Sequence, residues 1–190
     1  MKRYRIVPNE ITFYYSTCTI ISWIPVFQSE VYFKIIIESL TYCQKNKGLI
    51  LHGYIIMPTH LHLITSHQQH ANFSSLMRDF KHFTSTQIIK TLQEENKIYY
   101  LSIFEKAAQK RSVNQNYKVW QDEYHPIALK SGKWFNQKLQ YVHANPVRKG
   151  FVEKPETWKY SSARNWLFND HGIIKITKLD SEYTYGAEAP

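Results

Sequence analysis

Two short segments carry side chains whose types and spacing suit metal-assisted chemistry. His60 and His62 flank Leu61 at the end of an apolar run, and Tyr141 precedes Asn145 by four residues. Side chains alternate between the faces of a strand, so the two imidazoles share a face and can hold a divalent cation together. Residues four apart on a helix lie one above the other, which places Tyr141 and Asn145 on one stripe. The two segments together predict a metal site with a tyrosine nucleophile beside it.

Such a set of residues is suited to phosphoryl transfer. A divalent metal polarises a phosphate oxygen and offsets the charge that develops on phosphorus. Attack by a tyrosine hydroxyl conserves the bond energy as a phosphotyrosine ester, so a strand can be cut and rejoined without a high-energy cofactor. A protonated phenol is a poor nucleophile at neutral pH, and a polarised phosphate or a basic neighbour such as Lys138 compensates for this.

Each of these signals also has a purely structural explanation when it is taken alone. A histidine pair on an apolar strand is more often buried and hydrogen-bonded than bound to metal, and the chain has 14 tyrosines. Asn145, which stands before Pro146, is equally explained as a helix-terminating residue. Four other histidines compete as ligands and rank lower because they share no predicted strand face with the pair; they are His52, His82, His125 and His143.

The charge of the chain favours a polyanionic partner, with nucleic acid ahead of a membrane surface. The formal net charge is +9, and residues 130–164, which surround Tyr141, hold eight basic side chains against two acidic ones. Two cysteines, Cys18 and Cys43, are too few for a disulfide framework. The first residues lack a secretory pattern and no apolar run is long enough to span a bilayer, so we expect a cytoplasmic protein.

Hydrophobic periodicity predicts the elements that must position these residues. The pattern is strand, helix, two strands, helix, then a short strand and a last helix, which indicates an α+β sandwich with helices largely on one face of an antiparallel sheet. The predicted elements are a strand at 11–21, a helix from Ser29 to about Lys47, strands at 49–57 and 60–65, and a helix from Asn72 to about Ile88.

The second half of the chain is less regular. Residues 96–118 are predicted to be a long loop with a short helix at 101–108, and a short strand falls within 120–129. A helix with an apolar stripe carries Tyr141 and ends at Pro146. Residues 150–163 are expected to be irregular, and 170–190 to form a tail with an isolated apolar patch at 173–176.

Four motifs in this order resemble the REP-associated tyrosine transposases, a branch of the HUH single-tyrosine transposases of insertion sequences. They are YIIMPTHLHLI, LMRDFKHFTS, WQDEYHPI and QKLQYVHANPVRKGFVEKPETWKYSSA, and the resemblance runs from about Arg5 to about Trp166. It implies a ferredoxin-like sandwich with the two histidines on a central strand. One HUH transposase domain would cover residues 1–168, followed by a C-terminal tail at 169–190.

The resemblance also implies an activity. The protein would be a metal-dependent endonuclease and strand-transferase acting on single-stranded DNA hairpins of REP type, as a monomer or homodimer associated with the nucleoid. His60 and His62 would bind Mg²⁺ or Mn²⁺, Asn145 would complete the metal site, and Tyr141 would form a 5′-phosphotyrosine and release a free 3′-hydroxyl.

Two other functions stay open at this point. One is a noncatalytic, domesticated DNA-binding protein that retains the fold, and the other is a metallonuclease that uses water. Seven basic residues are candidate DNA contacts: Arg3, Arg5, Arg78, Lys81, Lys138, Arg148 and Lys149.

Overall fold

In the described residues, one open antiparallel sheet of four strands organises the protein; across the sheet the strands follow in the order second, third, first and fourth of the chain. The computed structural model describes residues 13–69, 71–110, 115–122 and 124–179. The first strand pairs with the third and the fourth, and the second pairs with the third. The strands are β1 (Phe13–Thr19), β2 (Leu49–Met57), β3 (His60–His67) and β4 (Ile127–Leu129).

Helices cover both faces of this sheet but lie mainly on one. The first three pack together over one face, and the fourth packs on the other. The α+β class, the ferredoxin-like strand order and the central position of the histidine strand are therefore confirmed. The helices are α1 (Glu30–Asn46), α2 (Phe73–Glu94), α3 (Ile98–Gln109), α4 (Gly132–Arg148) and α5 (Ala163–Phe168), with 3₁₀ turns at Ile21–Trp23 and Pro155–Thr157.

The hairpin of β2 and β3 fixes which face the histidines occupy. Met57 pairs with His60 across the turn, and the register continues along the hairpin with one irregularity near Gly53. Leu61 and Leu63 point into the core under α1 and α2, whereas Ile64 packs against α4. By the period of two, His60 and His62 share the α4 face with Ile64, and a slip of one residue would turn both imidazoles away.

The fourth helix lies close against the sheet because its apolar side is fully buried and a glycine faces it. Phe135, Leu139 and Val142 are buried in a second, smaller core. A Cβ atom added to Gly53 on β2 would stand 2.8 Å from Leu139 Cδ1. The glycine therefore permits an approach that any larger residue would obstruct.

The prediction that Pro146 ends this helix is wrong, because the helix continues to Arg148 with Pro146 inside its last turn. A proline there loses only its own backbone N–H, and Lys149 still donates to the Asn145 carbonyl at 3.1 Å. The end comes at Gly150, whose φ is 72°, where Phe151 N donates to the Pro146 carbonyl and Gly150 N to the Val147 carbonyl. This Schellman arrangement needs a left-handed residue, which glycine supplies.

Three other segments differ from the predictions. The predicted loop at 96–118 contains a full helix, α3, which buries Phe104 and Ala108. The strand expected within 120–129 is reduced to β4, while Trp120 forms only an isolated bridge with Ile20. The patch at 173–176 is not isolated, because Ile174 and Ile176 are buried in the main core.

Candidate metal and nucleophile site

The two histidines lie side by side at the start of β3. Their ring centroids are 4.8 Å apart, with the ring planes inclined by 69°. Both side chains are buried. The alternation of the strand has brought the two imidazoles onto one face, as their spacing predicts.

Hydrogen bonds hold each imidazole by its Nδ1 atom. Nδ1 of His62 lies 2.8 Å from Thr17 Oγ1 and 2.9 Å from Tyr15 OH, and Nδ1 of His60 lies 2.9 Å from Thr59 Oγ1. Nε2 of His62 is buried and has no hydrogen-bond partner among the described residues. A buried nitrogen without a partner is costly, and a metal ion is one of the ligands that would satisfy it.

The surroundings keep both rings uncharged at neutral pH. Burial lowers the pKa of His60 to about 4, with a further contribution from the positive charge of Lys149. Burial also lowers the pKa of His62 to about 3, helped by His60, Arg148 and Lys138. A neutral imidazole is the form that binds a metal, so this pair is in the binding state without first losing a proton.

Tyr141 stands at the edge of the histidine pair, on α4. Its ring is 5.5 Å from that of His62 and 6.2 Å from that of Tyr15, each in an edge-on contact. The residue is 38% exposed, so part of its surface is accessible from solvent. The Arg148 guanidinium lies 4.1 Å from the centre of the ring and the Lys138 ammonium 5.6 Å from it.

Asn145 follows Tyr141 by one helical turn and is 3% exposed. Its Oδ1 atom is buried, and no described residue forms a hydrogen bond with it. The continuation of the helix through Pro146 keeps this residue in helical geometry, so the stripe shared with Tyr141 is preserved. A buried amide oxygen without a partner suits a cation better than an apolar neighbour.

The five predicted DNA contacts within the described residues divide into two groups. Lys138, Arg148 and Lys149 belong to α4 and its end, and their charges act on the histidines. Arg78 and Lys81 lie on α2, at the opposite face of the sheet, where they line a separate cavity of about 1050 Å³. Arg3 and Arg5 lie outside the described residues.

Lys81 also makes contacts within the protein. Its ammonium donates to the Gln121 carbonyl at 3.0 Å and lies 5.5 Å from the centre of the Tyr124 ring. Arg78 is exposed and 3.5 Å from Asp79. The structure therefore does not bring these two residues to the tyrosine.

The competing histidines do not join the pair. His52 is held by the Thr177 carbonyl at 2.7 Å and by Ser66 Oγ at 2.8 Å, and His143 lies 2.8 Å from Ser162 Oγ. His82 and His125 are exposed. Within the described residues, no group of three or more histidine, cysteine, aspartate or glutamate side chains is placed to hold a metal. A metal at the pair would thus need an amide or substrate oxygen as well.

Three residues of the site were not predicted from the sequence: Tyr15, Thr17 and Trp23. Thr17 pairs with His62 across β1 and β3. The β1 alternation could have placed Tyr15 and Thr17 on one face, but only the observed register sets Thr17 opposite His62. Trp23 contacts His60 edge-on at 5.4 Å, and no local pattern marks the turn that carries it.

Every helix in the part of the chain that the structure describes is too short or too polar to cross a membrane.

Comparison with solved structures supports the fold. The chain is similar to a REP-associated tyrosine transposase solved bound to a REP hairpin, with a TM-score of 0.61 over 100% of this chain and 98% of that one, at 16% sequence identity. It also aligns with a protein of Deinococcus radiodurans R1 assigned as a transposase, with a TM-score of 0.46 over 75% of this chain and 95% of that one, at 15% identity. No family model and no curated protein matches the chain. The resemblance drawn from the motifs is confirmed at the level of the fold.

Proposed function

We propose that this protein is a metal-dependent endonuclease and strand-transferase that acts on single-stranded DNA hairpins through a 5′-phosphotyrosine at Tyr141. One observation carries the proposal: an accessible tyrosine ring lies 5.5 Å from His62, whose buried Nε2 has no hydrogen-bond partner in the part of the chain that the structure describes. The large majority of buried polar side-chain atoms have a hydrogen-bond partner. A site that binds a metal beside a nucleophile would leave one nitrogen available.

The residues fit a divalent metal by the chemistry of their donor atoms. His60 and His62 would supply neutral imidazoles and Asn145 an amide oxygen, while substrate phosphate and water would supply the oxygen ligands that Mg²⁺ and Mn²⁺ prefer. When bound, the ion would polarise a phosphate oxygen and offset negative charge on phosphorus. The unpartnered atoms of His62 and Asn145 support this assignment.

The side chains on α4 would carry out the transfer. The Tyr141 oxygen would form a bond to phosphorus as the bond from phosphorus to the 3′-oxygen breaks; the phenol proton is released, and the 3′-oxygen leaves as a hydroxyl after taking up a proton. Arg148 and Lys138, 4.1 and 5.6 Å from the tyrosine ring, would attract the phosphate and offset the negative charge that develops on it. The exchange of one phosphate ester for another is reversible, which allows the strand to be rejoined.

The charge of the chain and the structurally similar transposase support the proposed substrate class. The net charge of +9 is concentrated around α4, where single-stranded phosphates would lie. The structurally similar transposase is bound to a REP hairpin. A hairpin that presents an unpaired strand to Tyr141 is therefore the substrate we propose.

Formation of a covalent adduct tests this proposal. Incubation of the protein with labelled hairpins from its own genome and Mn²⁺ should give a protein–DNA adduct that resists denaturation. Tyr141→Phe removes the nucleophile and should lower adduct formation by roughly a thousandfold or more. Tyr99→Phe, an exposed tyrosine on α3 at the other face of the sheet, should leave it unchanged.

Other outcomes distinguish the alternative functions. Cleavage that survives Tyr141→Phe would indicate a metallonuclease that uses water. Binding that persists unchanged with a chelator and in His60→Ala, without cleavage of any hairpin, would indicate a noncatalytic DNA-binding protein. Either result would overturn the proposal.

A further inference from the structure

A large aromatic side chain borders the histidine pair without being buried. Trp23 is 56% exposed, and its ring centroid lies 5.4 Å from that of His60 at an interplanar angle of 67°. Burial of an aromatic side chain is a main source of stability, and Trp23 forgoes much of it. Packing alone therefore does not account for a tryptophan at this position.

The turn that carries Trp23 is strained and firmly held. Ser22 and Trp23 have φ angles of 56° and 54°, in the left-handed region that residues other than glycine rarely adopt. Hydrogen bonds fix the turn from two sides, from Ile20 N to the Thr59 carbonyl at 2.9 Å and from Ile21 N to the Val119 carbonyl at 2.8 Å. The ring is thus presented on a rigid support that is tied to the same hairpin turn as His60.

Ring contacts arrange the site in a definite order. Tyr141 borders the histidine pair at His62, and Trp23 borders it at His60. Lys138 and Arg148 lie near the Tyr141 ring, and the charge of Lys149 contributes to the lowered pKa of His60. A strand whose phosphates contact these cations would have an unpaired base within reach of the tryptophan.

We propose that Trp23 is a stacking platform for an unpaired nucleobase, that of the nucleotide directly 5′ of the scissile phosphate. This inference rests on the function proposed above. In an in-line displacement the leaving 3′-oxygen is opposite the attacking tyrosine oxygen. The nucleotide that bears it would therefore be on the His60 side, next to Trp23. Every base has a flat face, so such stacking positions the strand without selecting its sequence.

The binding step can be measured with a probe that needs no known target. Fluorescence anisotropy at fixed salt would compare a short single-stranded oligothymidylate with an abasic phosphodiester chain of the same length. Trp23→Ala should weaken binding of the oligothymidylate about tenfold, and Trp23→Phe should recover most of the loss. Both variants should bind the abasic chain as the unaltered protein does.

A matched control separates stacking from general surface effects. Tyr42 is also 56% exposed but lies on α1, at the other face of the sheet, so Tyr42→Ala should bind both probes normally. Equal affinity of Trp23→Ala and the unaltered protein for oligothymidylate would overturn the inference. Equal loss on both probes would also overturn it, because that pattern indicates a damaged site and not a lost base contact.

Cleavage of a hairpin then tests which base is stacked. A single abasic nucleotide directly 5′ of the scissile phosphate should slow adduct formation by the unaltered protein and have little effect on Trp23→Ala; the same change on the 3′ side should slow both equally. The reverse pattern would refute the assigned position. If no hairpin yields an adduct, the proposed function fails, and the oligothymidylate comparison still decides whether Trp23 stacks on a base.

Discussion

Two hydroxyl groups on β1 determine how the His62 ring is oriented. Thr17 and Tyr15 both lie within hydrogen-bond distance of Nδ1, and burial raises the pKa of Tyr15 to about 12, so its phenol stays protonated. If Nδ1 carries the proton and donates it, Nε2 is left with a lone pair for a metal. Partners of this kind fix both the tautomer and the ring orientation.

Removal of the threonine hydroxyl should therefore weaken metal binding. Thr17→Val keeps the shape and the β propensity of the side chain but removes one of the two hydroxyl partners of His62 Nδ1, and we expect Mn²⁺ affinity to fall roughly tenfold by isothermal titration calorimetry. Thr17→Ser retains the hydroxyl and should bind nearly as tightly as the unaltered protein. Equal affinity of the valine and serine variants would show that Thr17 does not orient the ring.

Residue types and spacing predict the chemical groups of this site but not their supports. The spacing of His60 and His62 is sufficient to put them on one face, because a strand has a fixed period. The partner of His62 depends on the register of two strands far apart in sequence, which local patterns do not encode. The aromatic neighbour of His60 depends on a turn whose left-handed residues are a serine and a tryptophan, neither of which signals that conformation.

The candidate site lies where α4 meets β3. The helix brings Tyr141 to the histidines only if it packs closely on the sheet, and the contact of Leu139 with Gly53 sets that distance. A change at Gly53 can therefore act on the site without touching any of its side chains.

Gly53→Ala tests this dependence. The added methyl group would meet Leu139 Cδ1 at 2.8 Å in a fully buried core, so we expect a loss of about 1–3 kcal/mol in the free energy of unfolding measured with urea. Adduct formation should slow as well, because α4 is displaced. Leu139→Ala in the same chain makes room for the methyl group, so the two substitutions together should cost less than the sum of their separate costs. Strictly additive costs would contradict close packing at this point.

Long periodic elements could be predicted from the sequence, whereas short or interrupted ones could not. The hairpin of β2 and β3 and the helix after Asn72 follow clear patterns, and the Asn72 side chain caps that helix through Ser75 N at 3.0 Å. The end of α4 was misjudged because proline disfavours a helix locally, while Gly150 and the packing of the helix determine where it stops. A short helix is predicted at 101–108, within α3, but its full length from Ile98 to Gln109 is not, because only Phe104 and Ala108 are buried in it.

The sheet divides the protein into two hydrophobic cores. One face, under α1 and α2, holds the larger core, and the other holds the smaller core with the candidate site at its edge. Most of the excess positive charge belongs to the segment of α4 and the residues after it. Lys138, Arg148 and Lys149 of this segment lie near Tyr141 and the histidine pair, which is the side that a DNA strand would approach under the proposed function.

Buried neutral histidines should make the fold sensitive to acid. Burial lowers the pKa of four histidines from 6.5 to about 4 or about 3: His52, His60, His62 and His143. Between these values and pH 6.5, the unfolded chain binds protons that the folded chain does not. The stability these histidines contribute is complete above about pH 6.5 and is lost as the pH falls towards the folded values. In metal-free buffer, each of these histidines should lower the free energy of unfolding by about 2 kcal/mol as the pH falls from 7 to 5.

Urea unfolding at the two pH values measures this loss. His52→Gln can still donate to the Thr177 carbonyl but cannot gain a proton. The difference in the free energy of unfolding between pH 7 and pH 5 should therefore shrink by the contribution of one histidine, about 2 kcal/mol. An unchanged difference would show that His52 is not a source of the acid sensitivity.

The most direct test of the central claim identifies the atom that becomes bonded to DNA. A hairpin adduct formed with Mn²⁺ would be digested with protease and nuclease, and the modified peptide sequenced by mass spectrometry. We predict a nucleotide joined through its 5′-phosphate to Tyr141, with the released strand ending in a free 3′-hydroxyl. A nucleotide on another residue, such as the neighbouring Tyr15, or a cleaved strand with no modified peptide, would contradict the account.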